Sequence, residues 1–424
     1  MLKPTLDDRH ASRFVLAERL QGVRQHSLSL AAPLSAEDQG GQSMPDASPT
    51  KWHLAHTSWF FETVVLQAFA PGYRPLDERY ARLFNSYYES LGARHPRPQR
   101  GLLTRPSLAD VLAYRAHIDT ALQALIAGAD ADTWVAAAPL LELGLQHEQQ
   151  HQELILTDIL HLLSLNPLAP AYAPASMPQA TAASADAGWW ESAGGESEIG
   201  HGPRAGGFGF DNESPRHPVR LAPFSLARGL VTNREVQAFI DDGGYRRPEF
   251  WLSDGWAAVQ AQGWRAPLYW RDGQREFTLH GEQPIDPAAP ACHLSFYEAA
   301  ALAEWAGARL PTEFEWEAAA SAWGVAAPVT AGLLRPPPRR SHADLQCFGA
   351  VWQWTRSSYD PYPGFKPWAG TVAEYNGKFM VGQLVLRGSS CATPPGHARA
   401  TYRNFFPPSA RWQFSGLRLA KDLT

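Results

Sequence analysis

The chain has 424 residues, of which 45% are hydrophobic and 11% aromatic, which is enough to bury the cores of two or more domains. Its formal net charge of −5 argues against nucleic acid or an anionic membrane surface as a partner. Three widely spaced cysteines argue against a disulfide framework, and no apolar run approaches the length of about 18 residues that a membrane helix needs. Because the first segment, MLKPTLDDRH, lacks a secretory apolar core, these features favour a cytoplasmic protein.

Four segments in the first third of the chain carry apolar residues at helical spacing. They cover residues 8–31, 50–69, 107–128 and 138–164, and Pro139 suits the first turn of the fourth segment. Four such segments joined by modest loops predict a four-helix bundle, whose core is a common place for metal sites.

The composition changes after residue 165. Residues 166–188 are rich in Pro, Ala and Ser and carry almost no charge, which predicts a linker. Residues 189–424 are dominated by Trp, Gly, Pro and short β-type runs, with few helices. The sequence therefore predicts an α+β multidomain protein with a helical domain over residues 1–165, a linker and a second domain over residues 189–424.

The pentapeptide His-Glu-Gln-Gln-His at residues 147–151 lies within the fourth predicted helix. Positions i and i+4 share a helix face, so His147 and His151 can bind one metal ion. Either His53 or His56, from Trp-His-Leu-Ala-His on another predicted helix, can supply a third ligand. Three neutral histidines leave open coordination positions, which suit either a zinc-bound water or an iron(II) that accepts O₂ and substrate. Spacing alone leaves this choice open.

The same pentapeptide matches the His-Glu-x-x-His signature of zinc peptidases, in which Glu148 would act as base. That function requires a further ligand downstream and an apolar residue inside the motif. Gln149 and Gln150 are polar, and the helix runs into the linker without a suitable acid. A zinc metallopeptidase is thus the more remote alternative, and a metal-free lectin-like binding module is another.

Motifs in the second domain point to a family. Arg-Leu-Pro-Thr-Glu-Phe-Glu-Trp-Glu at residues 309–317 resembles the formylglycine-generating-enzyme-like domains, which have a C-type-lectin-like fold, and residues 231–233, 351–355 and 387–390 resemble further landmarks. Trp-x-Leu-Ala-His and His-Glu-x-x-His ahead of such a domain give the arrangement of the ergothioneine-biosynthesis sulfoxide synthases. Their first domain is a DinB-like bundle. The resemblance covers nearly the whole chain, with the motifs in the right order.

This resemblance implies a non-haem iron(II) oxygenase that joins a thiol sulfur to C2 of hercynine, an Nα-trimethylated histidine, and oxidises the sulfur with O₂. It implies His56, His147 and His151 as the iron ligands, which selects His56 over His53. Glu148 then has no catalytic role. The thiol is cysteine or γ-glutamylcysteine, and related enzymes that use histidine or a selenosugar remain as alternatives.

The resemblance also implies substrate contacts, with the second domain completing the pocket. Gln150 matches a contact to the imidazole-bearing substrate, and Asn404 matches a second polar contact. Phe405 and Phe406 match aromatic neighbours of the trimethylammonium group, which aromatic faces attract.

Two further roles need particular side-chain types. An amino acid carboxylate suits a bidentate arginine, for which Arg411 is the first choice and the arginines within residues 94–100 are the second. Reduction of O₂ consumes protons, and Tyr87 and Tyr88 resemble a tyrosine pair found in one branch of the family. The pair favours cysteine as the thiol.

Two positions depart from the family pattern. Gln353 stands where the family often has Glu, and Ser389 stands where it has Gly. Both lie in scaffold motifs, so a local contact is expected to differ while the fold is kept.

Overall fold

The computed structural model describes residues 6–174, 188–203, 206–324, 333–339 and 345–423. Contacts divide the chain into two compact units, of which the first comprises the residues up to Leu165 together with Ala369–Tyr375. The division proposed from the sequence puts Ala369–Tyr375 in the second domain, whereas these residues group with the first unit. Residues 175–187 of the predicted linker lie outside the described residues.

The first unit is helical. Its α-helices are α1 (Leu6–Ala31), α2 (Ala36–Gly40), α3 (Thr50–Phe60), α4 (Gln67–Phe69), α5 (Tyr80–Leu83), α6 (Leu108–Gly128) and α7 (Ala131–Ser164). A π-helical turn, Phe61–Leu66, joins α3 to α4, and short 3₁₀ turns occur at Glu89–Leu91, Arg97–Leu102 and Gly370–Val372. Helices α1, α3, α6 and α7 pack on one another, which confirms the predicted four-helix bundle. No described helix has both the length and the apolar character to cross a membrane.

Helix α7 begins earlier than the sequence predicts. The Asp130 side chain accepts a hydrogen bond from the Thr133 backbone N–H at 2.8 Å, so this aspartate caps the helix and the first turn starts at Ala131. Pro139 therefore lies inside the helix, and the prediction that it occupies the first turn was wrong. The 34-residue helix carries its metal motif well away from either end.

Gly144 lets α7 approach the π-helical turn that follows α3. Gly144 lies one turn before His147, and a Cβ atom there would come within 2.3 Å of the Phe61 ring. Only a residue without a side chain permits this approach. Gly144 thereby sets the separation between α7 and the π-helical turn that continues α3, the helix on which two further histidines lie.

The second unit contains all the described strands and four helices. The strands are β1 (Trp189–Ser192), β2 (Gly195–Ile199), β3 (His217–Leu221), β4 (Phe224–Ala227), β5 (Trp270–Arg271), β6 (Arg275–Thr278), β7 (Gly281–Pro284), β8 (Trp352–Ser358), β9 (Leu384–Gly388), β10 (Asn404–Phe406), β11 (Ser415–Leu417) and β12 (Ala420–Asp422). The helices are α8 (Asn233–Asp241), α9 (Ser253–Gln262), α10 (Phe296–Trp305) and α11 (Glu313–Ala322). A further four 3₁₀ turns lie at Asp211–Glu213, Gly244–Arg246, Pro248–Phe250 and Gly377–Phe379.

Four small sheets organise these strands. The largest has the order β10-β9-β8-β11, with β8 antiparallel to β9 and parallel to β11. The others have the orders β1-β4-β12, β5-β6-β7 and β2-β3. Strand β10, which carries the predicted substrate segment, therefore lies at an edge of the largest sheet.

Gln353 forms a fully buried junction on β8. Its side-chain oxygen accepts hydrogen bonds from Trp316 Nε1 at 2.7 Å and Arg418 Nε at 3.0 Å, and its NH₂ group donates to the Cys347 carbonyl at 3.0 Å. A glutamate would have no proton for that carbonyl. The departure at residue 353 therefore matches its surroundings, and the Ser389 hydroxyl likewise accepts the Gly349 N–H at 2.8 Å.

Candidate metal centre

Three histidines from two packed helices meet inside the bundle. His56 lies on α3, and His147 and His151 lie one turn apart on α7. Each offers a ring nitrogen, and these three atoms lie within 4.8 Å of one another. The side chains are 0%, 3% and 4% exposed. Among the described residues, no other group of three His, Cys, Asp or Glu side chains is arranged to hold an ion.

His56 is oriented by the backbone and by stacking. Its Nδ1–H donates to the Phe84 carbonyl at 2.6 Å, which leaves Nε2 as the atom able to bind a metal. The ring is stacked between Trp52 and Trp59, with centroid separations of 4.5 and 5.4 Å. Its Nε2 atom is buried without a hydrogen-bond partner among the described residues. A buried lone pair without a partner is costly, and a metal ion would remove that cost.

His151 is oriented by another histidine. Its Nδ1 lies 2.8 Å from Nδ1 of His53, and His53 Nε2 lies 3.1 Å from the Asp158 carboxylate. His53 thus pairs with a candidate ligand and is not itself in the group of three, which supports the choice of His56 made from the resemblance.

The triad is electrically neutral. Burial, followed by the neighbouring His147, holds the pKa of His56 well below its usual range. Burial likewise lowers the pKa of His147 to about 3 and that of His151 well below 6.5. Metal binding requires unprotonated imidazole, so the site is ready to bind an ion near neutral pH. The donor set fits a divalent transition metal with open coordination positions.

Glu148 is not available as a base. Its fully buried carboxylate accepts hydrogen bonds from the Ser27 hydroxyl at 2.6 Å, from Arg24 at 3.0 Å and from Arg115. Burial alone would raise the pKa of Glu148, but the two arginines lower it to about 2. The carboxylate therefore joins α7 to α1 and α6, and the role of a peptidase base is not supported.

Gln150 and Tyr375 lie together beside the triad. The Tyr375 hydroxyl donates to the Gln150 side-chain oxygen at 2.6 Å. The Tyr375 ring lies 5.7 Å from the His147 ring in an edge-on arrangement. The first unit therefore contains a phenol that contacts both a candidate ligand, His147, and the predicted substrate residue Gln150. Sequence analysis missed Tyr375, because nothing in the local sequence links it to a motif 225 residues away.

A carboxylate holds the Tyr375 segment in place. The Glu374 side chain accepts hydrogen bonds from the backbone N–H groups of Glu89 and Ser90, at 3.2 and 2.9 Å. These N–H groups open a 3₁₀ turn, where backbone donors lack internal partners. Together with the hydrogen bond from Tyr375 to Gln150, this contact joins Ala369–Tyr375 to the first unit.

The predicted tyrosine pair lies in the segment just before that turn. Tyr88 is fully buried, with its ring 5.6 Å from Trp59 and 6.4 Å from Phe60. Phe60 in turn lies 4.5 Å from the His147 ring. Tyr87 is half-buried and lies 6.2 Å from Tyr88. Tyr88 thus contacts the aromatic residues that pack on the triad, and a catalytic role for either tyrosine stays a prediction.

The other predicted substrate residues lie in the second unit. On β10, the Asn404 side-chain oxygen accepts the Phe405 N–H at 2.9 Å. Phe405 stacks on Tyr359 with a centroid separation of 4.0 Å, and Phe406 lies 5.7 Å from Trp412. The Phe405 stack and the Phe406 contact present half-buried aromatic surface at the sheet edge.

Arg411 and Arg100 differ in their partners. The Arg411 guanidinium makes two hydrogen bonds to the Glu298 carboxylate, at 2.9 and 2.7 Å, so its charge is already neutralised. Arg100 is also buried, but within the described residues its hydrogen bonds go to the hydroxyls of Ser48 and Ser86, each at 2.9 Å. Its Nε atom has no partner among the described residues, and burial lowers its pKa to about 9. Of the two arginines, Arg100 is therefore the one that forms no ion pair among the described residues, while Arg411 is paired with Glu298.

Comparison with known proteins identifies both halves of the chain. The DinB superfamily model matches residues 19–155, and the sulfatase-modifying factor enzyme 1-like domain model matches residues 184–331 and 338–423. Hercynine oxygenase of Mycolicibacterium smegmatis is 35% identical, over 97% of this chain and 100% of the relative. The Mycobacterium tuberculosis enzyme of that name is 36% identical over 89% of this chain and 92% of its own length. Hercynine oxygenase of Mycolicibacterium thermoresistibile is 34% identical, over 97% of this chain and 95% of the relative.

Proposed function

Because the chain belongs to the hercynine oxygenase family, we propose that it is the iron(II)- and O₂-dependent sulfoxide synthase of ergothioneine biosynthesis. The reaction forms a bond between the thiol sulfur and C2 of hercynine and places one oxygen atom on that sulfur. The hydrogens from C2 and from the thiol leave with the second oxygen atom as water. The observation that carries the proposal is the buried, neutral histidine triad with the Gln150–Tyr375 pair beside it.

Iron(II) fits the donor set of the triad. Three imidazole nitrogens suit iron and leave coordination positions free for other molecules. Iron(II), held by His56, His147 and His151, would supply a binding place for O₂ and for the thiolate sulfur. Zinc would also bind three histidines, but it has no redox chemistry with which to reduce O₂.

Gln150 and Tyr375 have complementary tasks in this proposal. The Gln150 side chain orients the imidazole of hercynine, and the hydrogen bond from Tyr375 fixes the amide that does so. The Tyr375 hydroxyl is the first candidate for the proton donor that O₂ reduction requires. Its contact with the ring of His147 supports this choice. Tyr88, and after it Tyr87, are the next candidates.

The trimethylammonium of hercynine needs aromatic faces rather than an acid. We assign this contact to Phe405 and Phe406, with Asn404 as the polar neighbour. Attraction of such a cation by aromatic rings contributes about 0.5–2 kcal/mol, depending on how completely water is removed.

Arg100 is the better candidate for the carboxylate of the thiol substrate. Its guanidinium lies over Trp52 at 3.4 Å, and Trp52 stacks on the ligand His56. The arginine thus belongs to the layer of side chains that surrounds the triad. A carboxylate bound there would pair with a buried guanidinium that feels the charge of Asp158 but forms no ion pair among the described residues. Arg411 would have to share Glu298 to play this part.

The proposal is tested by metal analysis followed by aerobic incubation of the iron-loaded protein with hercynine. Cysteine and γ-glutamylcysteine are supplied in separate reactions, and products are read by mass spectrometry. We expect a C2–sulfur-linked sulfoxide from one of the two thiols. His151→Ala should lose both iron and product, while His161→Ala, on the same helix outside the triad, should keep both.

Other outcomes identify the alternatives. Iron-loaded wild-type protein that forms no C–S product with either thiol would contradict the proposed function. Product from histidine or from a selenosugar, but not from hercynine and a thiol, would indicate a related bond-forming enzyme. Bound zinc together with cleavage of peptides would indicate that the protein is the zinc metallopeptidase considered as the more remote alternative.

A further inference from the structure

His53 has a position that the metal site itself does not require. It precedes the ligand His56 by three residues on α3, and its ring is almost fully buried. Its two nitrogens contact His151 at 2.8 Å and Asp158 at 3.1 Å. The result is a line of three side chains in which Asp158 contacts His53 and His53 contacts His151.

Only one arrangement of protons satisfies this line when a metal is bound. The Asp158 carboxylate accepts, so His53 Nε2 must carry a proton. Neutral His53 then has a lone pair on Nδ1, which accepts the Nδ1–H of His151. That leaves the lone pair of His151 on Nε2, the atom that a metal would use. The reverse arrangement would put the proton of His151 on Nε2 and block metal binding.

From this geometry we propose that His53 and Asp158 are positioning residues that fix the tautomer of His151 and make it the strongest electron donor of the triad. This inference rests on the metal site of the proposed function. Hydrogen bonding of a ligand imidazole to a carboxylate raises its basicity, and here a second imidazole carries that effect to the ligand.

Among the described residues, the other two ligands have no hydrogen-bonded partner that is linked to a carboxylate. His56 donates to the neutral carbonyl of Phe84, which orients the ring but supplies no negative charge. His147 Nδ1 is buried without a partner among the described residues. The three ligands therefore differ in donor strength, although all are histidines.

Asp158 is itself held firmly. Its Oδ2 accepts the Ser48 backbone N–H at 2.8 Å in addition to the His53 proton. Asp158 lies two helical turns beyond His151, so α7 presents both side chains on the same face. An asparagine at residue 158 would keep an oxygen for both donors and remove the negative charge. Asp158→Asn therefore separates the electronic effect from loss of the fold.

The test measures metal binding, with no dependence on catalysis. Apo protein is titrated with Co²⁺, its dissociation constant and visible absorption spectrum are recorded, and the Fe(III)/Fe(II) midpoint potential is measured on the iron-loaded form. We expect Asp158→Asn to weaken Co²⁺ binding about 10-fold, the lower end of the range for such partners. The absorption bands should shift, and the potential should become more positive because a weaker donor favours Fe(II).

A second variant and a control complete the experiment. His53→Gln keeps an acceptor for His151 but breaks the line to Asp158, and we expect weakening of about 10- to 100-fold. His161→Gln, a partly buried histidine of α7 that pairs with Ser43, should bind Co²⁺ like the wild type. Wild-type affinity, spectrum and potential in Asp158→Asn and His53→Gln would overturn the inference. Wild-type protein that binds no Co²⁺ would instead overturn the metal site and the proposed function with it.

Discussion

Replacement of Glu148 by Gln should destabilise the bundle without removing its metal. Glu148 is 0% exposed and is the partner of both Arg24 and Arg115, from α1 and α6. Arg24 has a second carboxylate partner, Asp119, whereas the described ion pairs give Arg115 no other. In Glu148→Gln, Arg115 is left as a buried charge without a counter-charge, and the amide NH₂ must face a guanidinium.

The expected cost follows from that uncompensated charge. Removing one partner of a buried ion pair costs about 3–5 kcal/mol. Because about 1.4 kcal/mol corresponds to a factor of ten, amide protection should fall by about two to four orders of magnitude. Glu148 interacts with His147 through its charge, but no described hydrogen bond joins it to His56, His147 or His151 and two arginines already balance that charge. The affinity for Co²⁺ should therefore change by less than about threefold, as for an indirect effect.

Hydrogen exchange followed by mass spectrometry measures this effect on peptides from α1, α6 and α7 of the apo protein. Glu142→Gln is the matched control, since Glu142 lies on the same helix and pairs with Arg19 at a partly exposed position. Its exchange should change by less than the equivalent of about 1 kcal/mol. Unchanged protection in Glu148→Gln would refute the structural role. Loss of metal binding with unchanged protection would return Glu148 to the site.

Three further predictions concern the site and its surroundings. Tyr375→Phe should retain iron, lower kcat for sulfoxide formation about 10²-fold or more, and raise the share of simple thiol oxidation. If Tyr88→Phe shows the larger change, Tyr88 is the proton donor instead. Phe406→Leu should raise KM for hercynine by about 2- to 30-fold, corresponding to about 0.5–2 kcal/mol, with kcat kept, and an unchanged KM would exclude the contact. The apo protein should lose stability as the pH falls from 6.5 towards about 3, because unfolded His147 gains a proton that the folded form, with its depressed pKa, does not accept. Thermal unfolding midpoints between pH 7 and 5 measure this, and a midpoint that rises on acidification would contradict it.

The sequence identified much of the site because helical periodicity is a local property. The spacing of His147 and His151 specifies a shared face, and the resemblance supplied His56 as the third member. The roles of His53 and Arg411 could not be read in this way. The first is decided by Asp158, 105 residues away, and the second by Glu298, 113 residues away.

Tyr375 shows the same limit most clearly. It is joined to the first unit by its own hydrogen bond to Gln150 and by Glu374, which accepts the N–H groups of a 3₁₀ turn far away in the chain. Neither periodicity nor composition encodes that contact. The early start of α7 had a visible cause by comparison, since Asp130 precedes the helix and caps it. The apolar pattern around Pro139 predicts a later start, because it does not register the two helical turns that Asp130 caps.

The central claim is that this chain uses O₂ to make a carbon–sulfur bond and a sulfoxide in one reaction. Its most direct test is incubation of the iron-loaded protein with hercynine, the accepted thiol and ¹⁸O₂, followed by mass spectrometry of the product. We expect a C2-linked sulfoxide that carries one ¹⁸O atom, with His151→Ala giving none. A linked product without ¹⁸O, or consumption of O₂ with thiol oxidation alone, would contradict the account.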